Sequence, residues 1–511
     1  MSGLYAAWRL VVQSKTFDPS DVCIVEMSDR IGGRLDTVTF RGGTTGELGG
    51  MRFNTGQPLV TELVKRFGLK CLDFPETDNR LYYLRNKQMW QSEMCRRGML
   101  PYNLGRAQQG MTPDELMNYA VGSAIGDPDG WEKWDPTQWQ KFVERNQYFS
   151  PQFQSVPIYN GVKYSDVGFW DLIHDQLGSE GYRYVTDGGG YDSNTINWNS
   201  AMAMPNVASG DYAPGAKYQR IDGGYQKLPQ ALEKALLDAK VRFRFNTRLI
   251  GFSNDNNGMI DCTFTSDRGQ IQFKTRYLFL CMPRRSLELL DENTDFCSGM
   301  RARHYFASVI SQPSFKLLFL YKERWYKNVQ IRGQSIKPFG PTITDLPLRM
   351  IWYFDPEPSD KYWTLLASYC DMSSVDFWKV MEKSPAPSDF PVVRYPTPEM
   401  IEMARSQLQL VHGIAIPEPE EAVFQDWGSD PYGGGYHAWA AHYSPWDMFD
   451  RMLHPIETYN VFICGEAYSI DQGWVEGALS TVDTCLLKKL SIKSLSPSMS
   501  SVSTSHGLRR L

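Results

Sequence analysis

The chain has 511 residues, a formal net charge of -5 and an aromatic content of 13%. This length exceeds one ordinary hydrophobic core and predicts a two-domain body. The weakly acidic charge gives no footprint for nucleic acid, and the nine dispersed cysteines contain no CxxC pair for zinc. No apolar run reaches the ~18 residues that a membrane span needs.

The first half of the chain predicts few regular elements. A helix is predicted over residues 1–13, a short buried strand over 22–25 and a second helix over 59–67. Residues 100–215 are rich in Asn, Gly, Pro and Trp and predict a loop region. Its most flexible point is predicted at the glycine run of residues 187–191.

The second half predicts more strands than helices. A helix is predicted over residues 228–237, an alternating strand over 241–252 and a final helix over about 476–490. The Ser-rich tail, residues 491–511, is predicted to be disordered. Four further buried strands are predicted at 277–280, 315–321, 350–354 and 461–464.

Gly3 and Glu26 stand at the spacing of a dinucleotide-binding motif. That motif needs a strand, a G-x-G-x-x-G turn, a helix and, about twenty residues on, an acidic residue for the ribose. Gly3 begins the first helix and Glu26 ends the next strand, so the first strand and two glycines are missing. On these two residues alone, an ordinary helix start and an exposed carboxylate account for the pattern equally well.

Six sequence blocks, in the right order and spanning nearly the whole chain, resemble the flavin amine oxidase family, in its L-amino-acid oxidase branch. The missing first strand is the departure from the family pattern, and it predicts a chain truncated within the first glycine motif. The blocks are residues 1–7 (first glycine motif), 26–34 (EMSDRIGGR, second FAD motif), 47–53 (ELGGMRF, over the flavin ring), 343–353 (substrate-wall strand), and 462–466 with 473–478 (C-terminal FAD motif).

The resemblance implies an α/β fold of mixed α+β character. A FAD-binding Rossmann-like domain that lacks its first strand would use residues 1–55, 221–305 and 455–490. A substrate domain with a mixed sheet and helices would use residues 56–220 and 306–454. The active site is expected at their junction, where ligand pockets commonly form.

The resemblance also assigns residues to the substrate. Arg52 would bind the substrate carboxylate through two parallel hydrogen bonds, because a guanidinium matches a carboxylate. Tyr353 would donate a further hydrogen bond to the same group. Trp474 would line the active site beside the substrate amine, and Trp439 would line the pocket for the substrate side chain. A position in the hydrophobic core accounts for Trp439 equally well. Lys316, a cation in an apolar strand, would hold a water near flavin N5 and assist reoxidation.

The cofactor implied by the resemblance is FAD, and no metal is implied. Arg34 would contact phosphate or ribityl oxygens, Glu466 the ribityl or pyrophosphate region, and the backbone of Phe243, or of Val241 in the alternative register, the adenine side. His437 is interpreted as hydrogen-bonded structure rather than as a general base. The complete predicted set is Gly3, Glu26, Gly33, Arg34, Gly49, Gly50, Met51, Arg52, Phe243, Glu466, Gly473, Trp474 and Val475.

The implied function is oxidative deamination of L-amino acids to 2-oxo acids, with release of ammonia and hydrogen peroxide. The amino acid and oxygen are the expected partners, and no nucleic acid or membrane is expected. Two alternatives stay open: a flavin amino-acid 2-monooxygenase, which forms an amide with the same carboxylate clamp, and a non-catalytic remnant without FAD. A homodimer is a family-level expectation. The scattered cysteines favour a cytoplasmic location, while the N-terminus leaves a signal peptide open.

Overall fold

Helices occur along the whole described part of the chain. The structure is a computed structural model that describes residues 1–75, 79–96, 98–125, 159, 161–196, 198–209, 217–255, 257–290, 304–354, 361–382, 394–458 and 460–496. Its α-helices are Ser2–Trp8, Pro58–Arg66, Pro113–Ile125, Phe169–Gly188, Ser193–Ile196, Ser200–Ser209, Lys227–Asp238, Arg284–Glu288, Ser373–Lys379, Pro398–His412, Pro445–Leu453 and Val475–Leu490.

The strands are short except in two of the sheets. They are β1 (Cys23–Val25), β2 (Thr37–Thr39), β3 (Thr45–Glu47), β4 (Phe53–Asn54), β5 (Cys71–Asp73), β6 (Leu81–Leu84), β7 (Lys87–Trp90), β8 (Tyr218–Ile221), β9 (Arg242–Arg244), β10 (Thr247–Asn254), β11 (Ile260–Ser266), β12 (Gly269–Thr275), β13 (Leu278–Leu280), β14 (Val309–Gln312), β15 (Ser314–Tyr321), β16 (Gln330–Ile331), β17 (Gln334–Ser335), β18 (Pro341–Thr344), β19 (Met350–Tyr353), β20 (Trp363–Asp371), β21 (Glu421–Asp426), β22 (Tyr436–Trp439) and β23 (Val461–Ile463).

The largest sheet has seven strands in the order β21-β15-β20-β19-β18-β6-β7. It is mixed, because β18 runs parallel to β6 while the other neighbours are antiparallel. Every residue of β15 is buried. A strand covered on both faces has a near-continuous apolar sequence instead of an alternating one. The strand predicted over residues 315–321 is therefore confirmed, and with it the mixed sheet.

Two pairs of parallel strands stand apart from this sheet. In one pair β1 runs beside β9, and in the other β13 runs beside β23. Residues of both β1 and β13 line a single cavity of about 880 Å³. In the described part of the chain no strand pairs with both. Parallel strands at a common ligand cavity are a feature of dinucleotide-binding folds.

The first helix packs in the core beside these strand pairs. The predicted helix over residues 1–13 is confirmed as Ser2–Trp8, continued by a wider π-helical turn over Arg9–Gln13. Its apolar side chains share one core cluster with Leu228 and Leu232 of the helix Lys227–Asp238. Burial of this face, rather than helix propensity, stabilises so short an element.

One predicted strand is wrong as a single element. Residues 241–252 form β9 and β10, which belong to different sheets. Asn246, between them, has a φ of 51°, a left-handed conformation that asparagine adopts more readily than most residues. The backbone therefore turns after β9, and β10 pairs with β11 in an antiparallel three-stranded sheet.

The loop region predicted over residues 100–215 is also wrong for much of its described part. Four α-helices lie there, Pro113–Ile125, Phe169–Gly188, Ser193–Ile196 and Ser200–Ser209. The second is interrupted at Gly178, whose φ is 70°. The glycine run predicted to be flexible starts at Asp187, which is buried and accepts a hydrogen bond of 2.8 Å from the Tyr102 hydroxyl. Tertiary packing outweighs the local glycine and asparagine signals here.

The tail is ordered further than predicted. Ile492 and Leu495 pack against the core beside the first helix. Asp483 accepts hydrogen bonds from the Ser494 hydroxyl at 2.6 Å and from the Leu495 backbone N–H at 2.8 Å. Predicted disorder is therefore wrong for residues 491–496, and residues 497–511 lie outside the described residues.

The predicted domain boundaries stay a prediction. All strands of the seven-stranded sheet come from the ranges predicted for the substrate domain. One core cluster, however, joins Phe252 and Leu280 of the predicted FAD domain to Val309 and Trp439 of the predicted substrate domain. Among the helices that the structure describes, none is long and apolar enough to cross a membrane.

Candidate active site

Two adjoining cavities lie between the parallel strand pairs and the seven-stranded sheet. The larger has a volume of about 880 Å³ and the smaller of about 430 Å³. Together they match the space that a dinucleotide cofactor and a small substrate occupy. The residues that line both cavities are here called the neck: Arg34, Gly50, Gly435, Gly473, Trp474 and Val475.

All but one of the predicted cofactor residues line these cavities. Gly3, Glu26, Gly33 and Glu466 line the larger cavity, and Gly49, Met51 and Arg52 line the smaller. The remaining ones belong to the neck, except Phe243.

The backbone contact predicted for Phe243 stays a prediction. Alternation along β9 places Arg242 and Arg244 at the larger cavity, while Phe243 packs into the core and stacks on Phe245 at 6.0 Å. The alternative, Val241, is buried in the same core and does not line the cavity either.

Arg52 lies in the smaller cavity within a box of aromatic rings. Its guanidinium carbon is 4.1 Å from the ring centre of Tyr218 and 5.3 Å from those of Phe74 and Trp352. A guanidinium stacks on rings through its flat faces, so stacking is compatible with in-plane hydrogen bonds to a carboxylate. The three rings surround the guanidinium and place a cation in the cavity wall.

The prediction for Tyr353 is wrong by one residue. Tyr353 is 1% exposed and its hydroxyl is bonded to the Thr342 hydroxyl at 2.9 Å and to His412 Nε2 at 2.6 Å. Trp352 lines the cavity instead. Successive side chains of a strand point to opposite faces, so a register error of one residue exchanges the two. Tyr369, from the adjacent strand β20, is a cavity phenol that the sequence did not indicate.

Trp439 takes the core position that was its alternative. It is fully buried and donates its indole N–H to the backbone oxygen of Ser469 at 3.0 Å. The next residue back on β22, Ala438, lines the smaller cavity, so the predicted pocket role of Trp439 is wrong. Trp474 does reach the cavities, where it stacks on Tyr218 at 6.1 Å.

Lys316 extends from β15 to the floor of the smaller cavity. Its ammonium nitrogen donates to the backbone oxygen of Gly49 at 2.6 Å and lies 4.5 Å from the ring centre of Tyr369. Burial lowers the pKa of Lys316, and burial raises the pKa of the neighbouring Glu47 carboxyl. A buried amine whose pKa is lowered can hold a water and exchange a proton with it.

The glycines of the cavity wall let backbone segments approach closely. A Cβ on Gly49 would lie 2.1 Å from the carbonyl oxygen of Arg34, and a Cβ on Gly435 would lie 2.0 Å from the Ser314 hydroxyl. The Gly50 N–H donates to the same Arg34 carbonyl at 3.1 Å. Bare backbone therefore forms the wall where a flat ring system would lie.

Gly49→Ala is expected to destabilise the protein by about 1–3 kcal/mol and to lower its flavin content, because the new methyl group forces the segment off the Arg34 backbone. Urea unfolding and the ratio of flavin to protein absorbance measure both effects. Gly105→Ala is the control, since a Cβ there has only ordinary contacts at 3.7 Å. Equal stability and flavin content in the two variants would contradict the argument.

Four buried polar groups of the smaller cavity have no hydrogen-bond partner among the described residues. They are the Gln312 amide, the Tyr225 hydroxyl, the Trp352 indole N–H and His437 Nε2. Buried polar groups are almost always paired, so such a cluster marks a polar ligand. A flavin ring with its ribityl chain carries both donors and acceptors, and these residues fit it. Gln312, Tyr225 and Trp352 were not indicated by the sequence.

Glu466, which lines the larger cavity, contacts both Arg34 and His437. Arg34 pairs with its carboxylate at 2.7 Å, and the His437 ring bonds to it at 2.9 Å. Burial disfavours its charge, but Arg34 and His437 outweigh burial and lower the pKa of Glu466 to about 2. In the part of the chain that the structure describes, no group of three or more His, Cys, Asp or Glu side chains could hold a metal ion.

Comparison with known proteins finds similarity over most of the chain. A family model described as flavin containing amine oxidoreductase matches residues 1–481. Aplysianin-A from Aplysia kurodai is 23% identical over 95% of this chain and 88% of its own length. An L-amino-acid oxidase from Vipera ammodytes ammodytes is 21% identical over 94% of this chain and 89% of its own length. A solved structure of a putrescine oxidase double mutant has a TM-score of 0.65 and 15% identity, with 96% of each chain covered. That structure shows the fold alone.

Proposed function

The chain belongs to the flavin-containing amine oxidoreductase family, and we propose that within it the protein oxidatively deaminates L-amino acids to 2-oxo acids, ammonia and hydrogen peroxide. FAD is its cofactor. When bound, FAD supplies the two-electron oxidation and the reaction with oxygen. The observation that carries the proposal is the position of Arg52, whose guanidinium is held between aromatic rings in the wall of the smaller cavity.

The side chains of the smaller cavity have separate tasks in this proposal. Arg52 binds the substrate carboxylate, and the stacked pair of Trp474 and Tyr218 bounds the space beside it. Positioning of this kind supplies much of the rate enhancement, because the cofactor carries the redox chemistry. Lys316 holds a water at the cavity floor and moves a proton there. The likeness to the Vipera ammodytes ammodytes L-amino-acid oxidase supports the same substrate class.

An amine without a carboxylate is the competing substrate class, since the putrescine oxidase structure shares the fold. The charge of Arg52 argues against it, because a diammonium substrate would meet a like charge in a buried cavity. The amino-acid 2-monooxygenase alternative shares every contact described here and differs only in its product. The non-catalytic alternative is opposed by the orphaned polar groups, which call for a bound ligand.

One experiment separates these possibilities. The purified protein is given L-phenylalanine or 2-phenylethylamine without oxygen, and the visible flavin absorbance is followed. Bleaching by the amino acid, with much slower bleaching by the amine, supports the proposal; the reverse preference contradicts it. Products formed in air then distinguish the 2-oxo acid and peroxide of an oxidase from the amide of a monooxygenase. Protein that binds FAD but is bleached by neither compound would contradict the proposed substrate class.

Lys316→Met is expected to slow the oxygen-dependent phase of turnover about 100-fold, because the buried amine no longer holds or moves a proton at the cavity floor. Anaerobic bleaching by the amino acid is expected to change by less than about threefold. Stopped-flow absorbance measures the two phases separately. Lys234→Met, at an exposed lysine that pairs with Asp238, is the control. Equal slowing of both phases would mean that Lys316 acts by holding the Gly49 segment.

A further inference from the structure

Both oxygens of the Glu466 carboxylate are engaged by protein groups. Its Oε1 accepts the backbone N–H groups of His437 at 2.9 Å and Gly473 at 2.8 Å. Its Oε2 accepts the His437 ring N–H at 2.9 Å and pairs with Arg34 at 2.7 Å. An ionised carboxylate has about four lone-pair sites. Three of them accept hydrogen bonds from the protein, and the Arg34 guanidinium forms an ion pair with Oε2. The protein itself therefore already holds both oxygens of the side chain expected to contact FAD.

The same contacts fix the state of the His437 ring. Glu466 is ionised at neutral pH, since its pKa is about 2, so the ring nitrogen that faces it, Nδ1, carries the proton. Burial also lowers the pKa of His437. The other nitrogen, Nε2, is then a bare acceptor. It is buried, without a hydrogen-bond partner among the described residues, and belongs to a residue that lines the smaller cavity.

The position of His437 indicates which part of the cofactor it contacts. Glu466 lines the larger cavity and His437 the smaller, and the two are in contact beside Gly473 of the neck. The nucleotide part of FAD suits the larger cavity and the flavin ring the smaller, so the ribityl chain crosses the neck. Ribityl hydroxyls are hydrogen-bond donors, which is what an imidazole acceptor needs.

We propose that Nε2 of His437, and not the Glu466 carboxylate, accepts a hydrogen bond from a ribityl hydroxyl of FAD. Glu466 is a positioning residue, which fixes the imidazole tautomer and turns the bare nitrogen toward the cavity. In a carboxylate–histidine pair the carboxylate orients the imidazole ring and selects its tautomer. Here the pair binds a cofactor and does not move a proton. The inference rests on FAD as cofactor and is independent of the substrate class.

Two substitutions at His437 separate the two nitrogens. His437→Asn keeps a donor near the place of Nδ1 and removes the acceptor at Nε2. His437→Gln places an amide oxygen near Nε2 and removes the donor to Glu466. Titration of the deflavinated full-length protein with FAD gives the Kd. We expect His437→Asn to raise the Kd roughly tenfold or more, as for an unmade buried hydrogen bond, and His437→Gln to raise it less than about threefold.

The reverse order of the two Kd values would overturn the proposal, because the ring would then matter only as a donor to Glu466. Equal Kd values would also overturn it. If a variant fails to fold, the wild-type protein labelled with ¹⁵N-histidine provides the second test: the Nε2 resonance of His437 must shift when FAD binds, and no shift overturns the proposal. A titration with 3-methyl-FAD identifies the donor. The His437→Asn effect should persist with this analogue, and its loss would assign the flavin N3–H in place of a ribityl hydroxyl.

Discussion

Arg52→Met is expected to reduce kcat/KM for L-phenylalanine by roughly 100- to 1,000-fold, because in the proposed function it removes the cation that pairs with the substrate carboxylate. Methionine places an unbranched apolar chain among the rings of Phe74, Tyr218 and Trp352 that surround the Arg52 guanidinium, so the cavity wall should survive the change. In the proposed function the lost interaction is made to the carboxylate alone. Turnover of 2-phenylethylamine, which has the same side chain and no carboxylate, should therefore fall little or rise.

The measurement is the ratio of kcat/KM for the acid to that for the amine. Arg52→Lys should give an intermediate ratio, since lysine retains the charge and loses the flat two-donor fork. Flavin content and unfolding midpoint serve as controls for the integrity of the wall. If both substrates lose activity equally in Arg52→Met, with FAD still bound, Arg52 does not read the carboxylate, and the amino-acid assignment falls with it.

Asp483→Asn is expected to lower the free energy of unfolding by about 3–5 kcal/mol, the usual effect of leaving a buried charge without its partner. Asp483 pairs with Arg9, and both side chains are almost fully buried. It also accepts the Tyr5 hydroxyl at 2.8 Å and the two donors from residues 494 and 495. The carboxylate thus joins the first helix, the last helix and the segment after it, and asparagine supplies neither the charge nor the same acceptors.

Urea unfolding followed by circular dichroism measures this effect, with FAD concentration held fixed. The double variant Arg9→Met with Asp483→Leu should recover part of the loss, because two matched apolar groups leave no unpaired charge. Lys234→Ala, at an exposed pair, should change the free energy of unfolding by less than about 1 kcal/mol. A loss for Asp483→Asn as small as this control would contradict a structural role for the ion pair.

The elements predicted correctly are those whose burial shows in the pattern of apolar residues within one short stretch of sequence. The strand β15 is covered on both faces, and apart from Lys316 its sequence from Phe315 to Tyr321 is continuously apolar or aromatic. The turn at Asn246 and the helix Phe169–Gly188 were missed because partners distant in the chain decide them. For Trp352 and Tyr353, alternation established that they face opposite sides, and only the packed sheet decides which side is the cavity.

His437 illustrates what local sequence cannot contain. A lone histidine on a short strand is usually a hydrogen-bonded structural residue, and in part this one is. Its unusual feature is a bare, buried nitrogen at a cavity, which follows from a carboxylate 29 residues further along the chain. The glycines at 49 and 50 were identified through the family motif, whereas Gln312 and Tyr225 stand in no motif and are distinguished only by their unpaired atoms.

The position of the two parallel strand pairs gives FAD a role in stabilising the fold. The pair β1–β9 and the pair β13–β23 both line the larger cavity, yet within the described residues no hydrogen-bond ladder ties one to the other. A ligand in contact with both strand pairs links them, and its binding free energy adds to the free energy of folding. The resistance of this protein to unfolding is therefore set jointly by the chain and by the concentration of free cofactor around it.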